Sequence, residues 1–372
     1  MFLAVRELLY ARGRFTLMGL VIALIAVLMV VLSGLTAGLV DDGVSGLKKL
    51  PAGHLAFQHE VDPGAAYSRS IVETDAAAVW AEVDGVDDAA PLGNTLINGR
   101  SDTGVEIDLA LLGTAPDSFL APVPAEGAPL GPAHGIVVSE TVLGERIGLG
   151  DTITVTPLGT ELTVIGVLDG QHTFGHVDVA YVPLSTWQEI TAGIRPGEQA
   201  PDRIYTQATA IALAGDQIEV AAGDTAAGTT TITREDSYDA SPGFSAEMST
   251  LSMIEAFLYA ICALVVGAFF TVVTIQRRHE IAVLRAMGAS VRYVLTSVLV
   301  QSLILLLAVA VGVGAGIGVG AALGSTPMPY TWNAAAVATA AAIVIVLGMI
   351  GAAVAVLRIT RVDPLTALGG NR

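Results

Sequence analysis

Four stretches of this chain stay free of charge for long enough to cross a lipid bilayer, and nothing else in the sequence limits its fold as strongly. A helix that spans about 30 Å of hydrocarbon at about 1.5 Å per residue needs about 20 apolar residues. Phe15 to Val40 has no charged side chain between Arg14 and Asp41, and Ala256 to Gln276 has none between Glu255 and Arg277. Tyr293 to Leu357 is uncharged throughout, but "GSTPMPYTWN" (Gly324 to Asn333) interrupts it with two prolines and a helix-starting Asn333. It therefore divides into two helices joined by a tight turn. With only 14% of its 372 residues charged and a mean hydropathy of +0.66, the chain is too apolar for an ordinary soluble domain. The order of "RELLYARGR" and the first run suits a secretory signal, but an h-region is only about 7–15 residues long. The run is longer, and a retained span is expected.

The net charge of −17 is unevenly divided. Residues 1–14, 277–292 and 358–372 together hold 10 Arg and 3 acidic residues, while residues 41–254 hold 8 basic and 31 acidic residues. Short basic segments stay on the cytoplasmic side. The prediction is a multi-pass α-helical protein of the cell membrane with an α+β extracytoplasmic domain, four transmembrane helices, and both termini cytoplasmic. Its segments are an interfacial elbow helix (1–14), a first span (15–40), the extracytoplasmic domain (41–250), a second span (251–276), a cytoplasmic coupling helix (277–290), a third span (291–323), an outer turn (324–333), a fourth span (334–357) and a cytoplasmic tail (358–372).

Small residues recur in the spans at four-residue spacing: Ser33 with Ala37, Gly34 with Gly38, then Gly312, Gly316, Gly320 and Gly324 on one register and Gly314 and Gly318 on another. Such spacing lets helix backbones approach closely in lipid, though glycine is also simply tolerated there. In the domain, "HGIVV" reads as a buried strand and Thr152–Thr156 and Leu162–Leu168 as alternating strands around a Pro-Leu-Gly-Thr turn. "VDVAYVPLSTWQEI" reads as a strand and a capped helix, and "VWAEVDGVDDAAPL" as a helix leading into a strand.

Several chemistries are missing. Lys48 and Lys49 stand in "GLKKLP" without the Gly-rich frame of a P-loop, and neither His-Glu-x-x-His nor G-x-S-x-G occurs, so the chain is expected to be no enzyme. His172 with His176, and His54 with His59, could each approach a metal, but pair spacing alone does not make a site and ordinary exposed histidines are expected. No intrinsic cofactor, metal site of the protein's own or nucleic-acid partner is expected. Cys262, the single cysteine, lies inside the second span and allows no disulfide within one chain.

Two features remain to carry function. Glu255 borders the apolar second span, where an ionisable side chain is a functional candidate. Glu247 lies eight residues earlier, about 80° around the same helix, with Met248, Met253, Phe257, Leu258 and Tyr259 about them. Equally, Glu255 can mark the water boundary and the others can be packing. The second feature is "TIQRRHEIAVLRAMGASVRYVL", which alternates apolar and charged residues after that span, as a rigid amphipathic helix carrying motion between the membrane and a soluble partner would.

The N-terminal elbow, "QRRHEIAVLRAMGAS", "LGDTITV", "LTVIGVLDG" and the closing "RVDPLTALGG" resemble the permease subunits of MacB/FtsX-type ABC transporters over nearly the whole chain. Within that family the chain looks most like haem-efflux permeases, through its length, "LSGLTAGLV", "AFFTVVTIQ" and "VDPLTALGG". The resemblance implies a homodimer with two copies of a separate cytoplasmic ATPase, onto which Glu280, Ile281, Leu284, Arg285 and Met287 would dock. It also implies haem as transported substrate, taken from the outer leaflet, with Glu255 or Glu247 as ligand to its iron. The alternatives are export of another hydrophobic substrate or a lipoprotein, and mechanical transmission to an extracellular cell-wall hydrolase.

Overall fold

The computed structural model of the protein describes residues 12–131, 133–286, 291–326 and 328–360. Its helices are α1 (Arg12–Lys48), α2 (Ala66–Arg69), α3 (Ala76–Ala81), α4 (Leu184–Thr191), α5 (Val220–Ala227), α6 (Phe244–Ala286), α7 (Val291–Leu323) and α8 (Ala334–Thr360). The strands that position the sites are β1 (His54–Gln58), β2 (Val72–Glu73), β3 (Asp88–Ser101), β4 (Glu106–Thr114), β5 (Glu126–Gly127), β6 (Gly135–Val138), β7 (Thr152–Thr156), β8 (Glu161–Val167), β9 (Thr173–Phe174), β10 (Val177–Pro183), β11 (Gln207–Ala208), β12 (Ala210–Ala214) and β13 (Thr229–Thr233). The chain divides into two compact units, an α+β unit of Val40–Met248 and a helical unit of Met1–Leu39 with Ser249–Arg372.

In the α+β unit the strands run β13-β1-β12-β3-β4-β10-β6-β8-β5, with β7 bridging β3 and β8, and β9 on β10. The centre of this sheet is buried on both faces. Ala110 and Leu112 of β4, with Val179 and Tyr181 of β10, join one core around Leu55, Leu92 and Phe174. Leu109 and Leu111, with Ala180 and Val182, join the other around Ile136, Val164 and Trp187. Successive side chains of a strand point to opposite faces, so a strand buried on both sides loses its alternation, and that is why "VDVAYVP" reads as a near-continuous apolar run. α4 lies close on the sheet because Gly93 and Gly113 leave room for an indole: a Cβ on Gly113 would sit 2.5 Å from Trp187 Cβ. Of the sequence expectations, β6, β7 and β8 fall within a residue of where they were placed; between β6 and β7, "SETVLGER" forms a 3-10 turn, Glu140–Glu145. The helix after β10 starts behind Pro183 with no side-chain cap.

β3 has one feature that matters below. Its Asp88–Leu92 pairs with β12 and its Asn98–Ser101 with β7, while β4 occupies the opposite edge. Between Leu92 and Asn98 the first edge has no strand, and Thr209 fills part of the gap by accepting from the Asn94 amide through Oγ1 at 2.9 Å.

In the helical unit, Ile22, Ile25 and Met29 of α1 pack with Cys262 and Val266 of α6, Val309 of α7 and Val344 of α8. Gly312 and Gly316 face α1 so closely that a Cβ would meet Ala26 Cβ at 2.7 Å and Val30 Cβ at 2.8 Å respectively. Gly320 and Gly34 lie against the Tyr330 ring, and Gly38 against Pro329. Gly314 and Gly318 have nothing within 4 Å. One of the two glycine registers is therefore a helix contact and the other is not. Among the described residues three helices are long and apolar enough to cross a membrane, Gly19–Lys48, Phe244–Ala268 and Leu306–Leu323, with a shorter apolar helix at Val337–Val346. α6 continues without a break past Gln276 to Ala286, so residues 277–286 prolong the preceding helix. Residues 1–11 of the expected elbow, residues 287–290 and residues 361–372 of the expected tail lie outside the described residues.

Candidate functional site

α6 carries all seven residues that the sequence offered for a substrate site, and it sorts them by face. Leu251, Cys262 and Val266 are buried, and Leu258 and Tyr259 pack partly into the same helical core. Met253 (56% exposed) and Phe257 (63% exposed) stand on the other side with Ile254, Ile261 and Leu264. At about 100° per residue, Met253 and Phe257 each lie about 160° from Glu255. One ligand cannot touch Glu255 and these two side chains of the same helix.

Glu255, Leu258 and Tyr259 open onto a cavity of about 300 Å³ between α1, α6 and α8. Ser33, Thr36 and Thr339 add hydroxyls to its wall, and Met29 and Leu32 add apolar surface. No lysine or arginine lines it, and Glu255 makes no ion pair among the described residues. Thr36 Oγ1 is buried without a hydrogen-bond partner. A carboxylate beside apolar walls without a counter-ion is costly, so such a site favours a ligand that brings positive charge to it. A carboxylate is also a hard oxygen donor suited to a hard metal ion. Sequence reasoning missed Thr36 and Thr339. Ser33 and Ala37 were read as packing residues, and both line the cavity.

Glu247 and Met248 belong to the α+β unit. Met248 packs against that unit's core. Glu247 Oε2 is 3.2 Å from His176 Nε2, and the same imidazole reaches Asp42 Oδ2 through Nδ1 at 2.8 Å. Gln171 Nε2 donates to Asp42 Oδ1 at 3.0 Å, Gly175 N donates to Gly43 O at 2.8 Å, and Ser45 Oγ and Thr173 Oγ1 are 2.7 Å apart. The loop 171–176 thus fastens the segment 41–46 of α1, and His176 adds the start of α6. Glu247 has its partner within the protein, which leaves Glu255 as the unpaired carboxylate of the two.

Among the described residues His172 and His176 belong to no larger cluster of metal-ligating side chains, and no group of three or more His, Cys, Asp or Glu side chains is arranged to hold a metal. Burial, with a smaller contribution from Lys49, lowers the His172 pKa to about 4. Glu280, Ile281, Leu284 and Arg285 fall on the last turns of α6, and Met287 lies outside the described residues.

Residues 15–232 match the family model described as MacB-like periplasmic core domain, and residues 249–364 match the one described as FtsX-like permease C-terminal. The chain belongs to the MacB/FtsX family of ABC transporter permeases. The permease is 24% identical over 371 residues to the hemin transport system permease protein HrtB of Staphylococcus epidermidis, covering 100% of this chain and 99% of the relative. It is also 24% identical over 369 residues to HrtB of Staphylococcus haemolyticus, covering 99% of each. Solved structures similar to part of it include the extracellular domain of the ABC-type transporter YknZ from Gram-positive bacteria, at 12% identity and a TM-score of 0.35, covering 49% of this chain and 98% of that one. The periplasmic region of MacB from Actinobacillus actinomycetemcomitans is similar at 12% identity and a TM-score of 0.36, covering 51% and 92%. The permease is a multi-pass protein of the cell membrane, with the α+β unit as its periplasmic-type domain.

Proposed function

We propose that this permease takes haem from the outer leaflet and expels it, as the non-catalytic subunit of an efflux transporter driven by a separate cytoplasmic ATPase. Support for haem comes from the full-length similarity to relatives named for hemin transport. The observation that carries the site is Glu255, an unpaired carboxylate at the wall of a cavity inside the helical unit. Ferric iron supplies the positive charge that this carboxylate lacks, and a single oxygen donor is weak enough to release substrate when the helices close.

A cavity of about 300 Å³ is at the lower end of small-molecule sites and less than a metalloporphyrin needs. Haem therefore requires an enlarged site between two copies of the chain. Met253 and Phe257, exposed on the opposite face of α6, contact it only from the second copy. Two ATPase copies would then dock on residues 280–287 of the pair. The topology that goes with this reading is four spans with both termini cytoplasmic, α8 being the fourth, and the charge division between segments supports it.

The test is Glu255→Gln in the permease copurified with its ATPase, with Glu247→Gln as comparison. Glu255→Gln is expected to shift the Soret band and abolish haem tolerance at unchanged expression, while Glu247→Gln keeps the wild-type spectrum. Wild-type spectra and tolerance in both variants and in the double variant would reject carboxylate ligation of haem.

A further inference from the structure

A second cavity, of about 600 Å³, lies wholly within the α+β unit, against the open edge of β3. It has the size of a small-molecule site. Asn94, Thr95 and Leu96 form one wall, and the others include Arg69 at the end of α2, Ile71 just after it, Trp187 on α4, and Ala192 just beyond that helix. The lining draws on both cores, Phe174 from one and Trp187 from the other, so the cavity sits at the seam where the sheet splits between β12 and β7.

The walls define the chemistry of the occupant. Ile71 is 56% exposed and Leu96 is 47% exposed, which is apolar surface that a ligand's hydrocarbon would cover. Residues 41–254 carry 31 acidic and 8 basic side chains, yet no Asp or Glu lines the cavity. Its one charged lining residue is Arg69, which is exposed and makes no ion pair among the described residues. Asn94, 7% exposed, also lines the cavity, and its amide nitrogen is buried with no hydrogen-bond partner. Such walls offer donors and apolar surface but no carboxylate to repel an anion. A cation would find no counter-charge.

We propose that this cavity binds a small amphiphile with an anionic oxygen head, a carboxylate or a phosphate. The head lies at Arg69, which can hold it in a bidentate fork. The hydrocarbon lies along Ile71, Leu96 and Trp187. This site is independent of Glu255 and of the haem reading.

The test uses the full chain in phosphatidylcholine nanodiscs and radiolabelled decanoate in equilibrium dialysis. One saturable site per chain is expected above the non-saturating uptake by lipid, and decanol should not compete for it. Arg69→Glu, a surface charge reversal, should weaken that site at least tenfold. Ala192→Trp fills the cavity from an exposed position and should abolish it. Glu255→Gln should leave it intact, which keeps its outcome separate from that of haem transport. Exchanging the nanodisc lipid for phosphatidylglycerol, at matched free decanoate, distinguishes the natural source: displacement of decanoate indicates an anionic lipid headgroup and no displacement a free acid. Absence of a saturable site, equal competition by decanol, or unchanged binding in both cavity variants would overturn the proposal.

Discussion

Replacing His176 with alanine removes a side chain that bridges Asp42 of α1 and Glu247 of α6. The two carboxylates do not lose equally. Asp42 keeps its bond from Gln171 Nε2, at 3.0 Å, whereas His176 is the ion-pair partner shown for Glu247. Charge-assisted hydrogen bonds contribute about 1.5–3 kcal/mol each when buried, and exposed ion pairs about 0–1 kcal/mol. The His176 side chain is 35% exposed and each carboxylate 29% exposed, so the contacts fall between these limits. Together they contribute about 2 kcal/mol to holding the helix ends on the domain.

Hydrogen exchange on the full chain in nanodiscs measures this directly, because a local opening made about 2 kcal/mol easier exchanges about 30-fold faster. The amides of residues 43–48 and 171–176 should show that acceleration in His176→Ala, and His176→Gln, which keeps a donor, should show less. A double-mutant cycle with Glu247→Gln should give a coupling energy of about 1 kcal/mol. Exchange accelerated by less than about threefold, or additive effects in the cycle, would show that His176 is a surface contact and not a fastening.

Valine at Gly312 or Gly316 should cost about 1–3 kcal/mol or more in thermal melting through overpacking against α1, while valine at Gly314, which has nothing within 4 Å, should be close to neutral. Burial holds His172 neutral in the fold down to a pKa of about 4, while the unfolded chain binds that proton near pH 6.5. Stability contributed there is complete above about pH 6.5 and is lost as pH falls towards about 4; with screening at a partly exposed ring it amounts to about 1–2 kcal/mol, and His172→Gln should flatten the melting curve in that window. Cysteine at the exposed Thr103 should react with an impermeant maleimide in sealed cells and cysteine at Ser290 should not, against a background in which the sole native cysteine, Cys262, is buried. Labelling at position 290 would reject cytoplasmic placement of that segment.

Local patterns in the sequence carried much of this fold. β7 and β8 alternate around their turn, β6 is apolar at every position, and the uncharged runs mark the long helices. Pairings between distant segments were not legible. Two glycine registers in α7 look alike as sequence, and only the placement of α1 against Gly312 and Gly316 decides which one is used. The open edge of β3 is likewise invisible locally, because it exists only where β12 stops and β7, more than fifty residues before it in the chain, takes over.

The two glutamates of α6 show the same limit in the candidate site itself. Helical geometry puts Glu247 and Glu255 about 80° apart, which is close enough to suggest one seam. What separates them is His176, which lies 71 residues before Glu247 and was read as an ordinary exposed side chain. Its position between two carboxylates follows from the loop after β9, which is held in turn by Ser45, Gly43 and Asp42. With Oε2 held against His176 Nε2, Glu247 already has a partner inside the protein and less to offer an incoming cation. Glu255 has no such partner, and its neighbours are hydroxyls and hydrocarbon. A partner within the fold, more than depth along the helix, is what distinguishes the two carboxylates, and the proposed role falls to Glu255 for that reason.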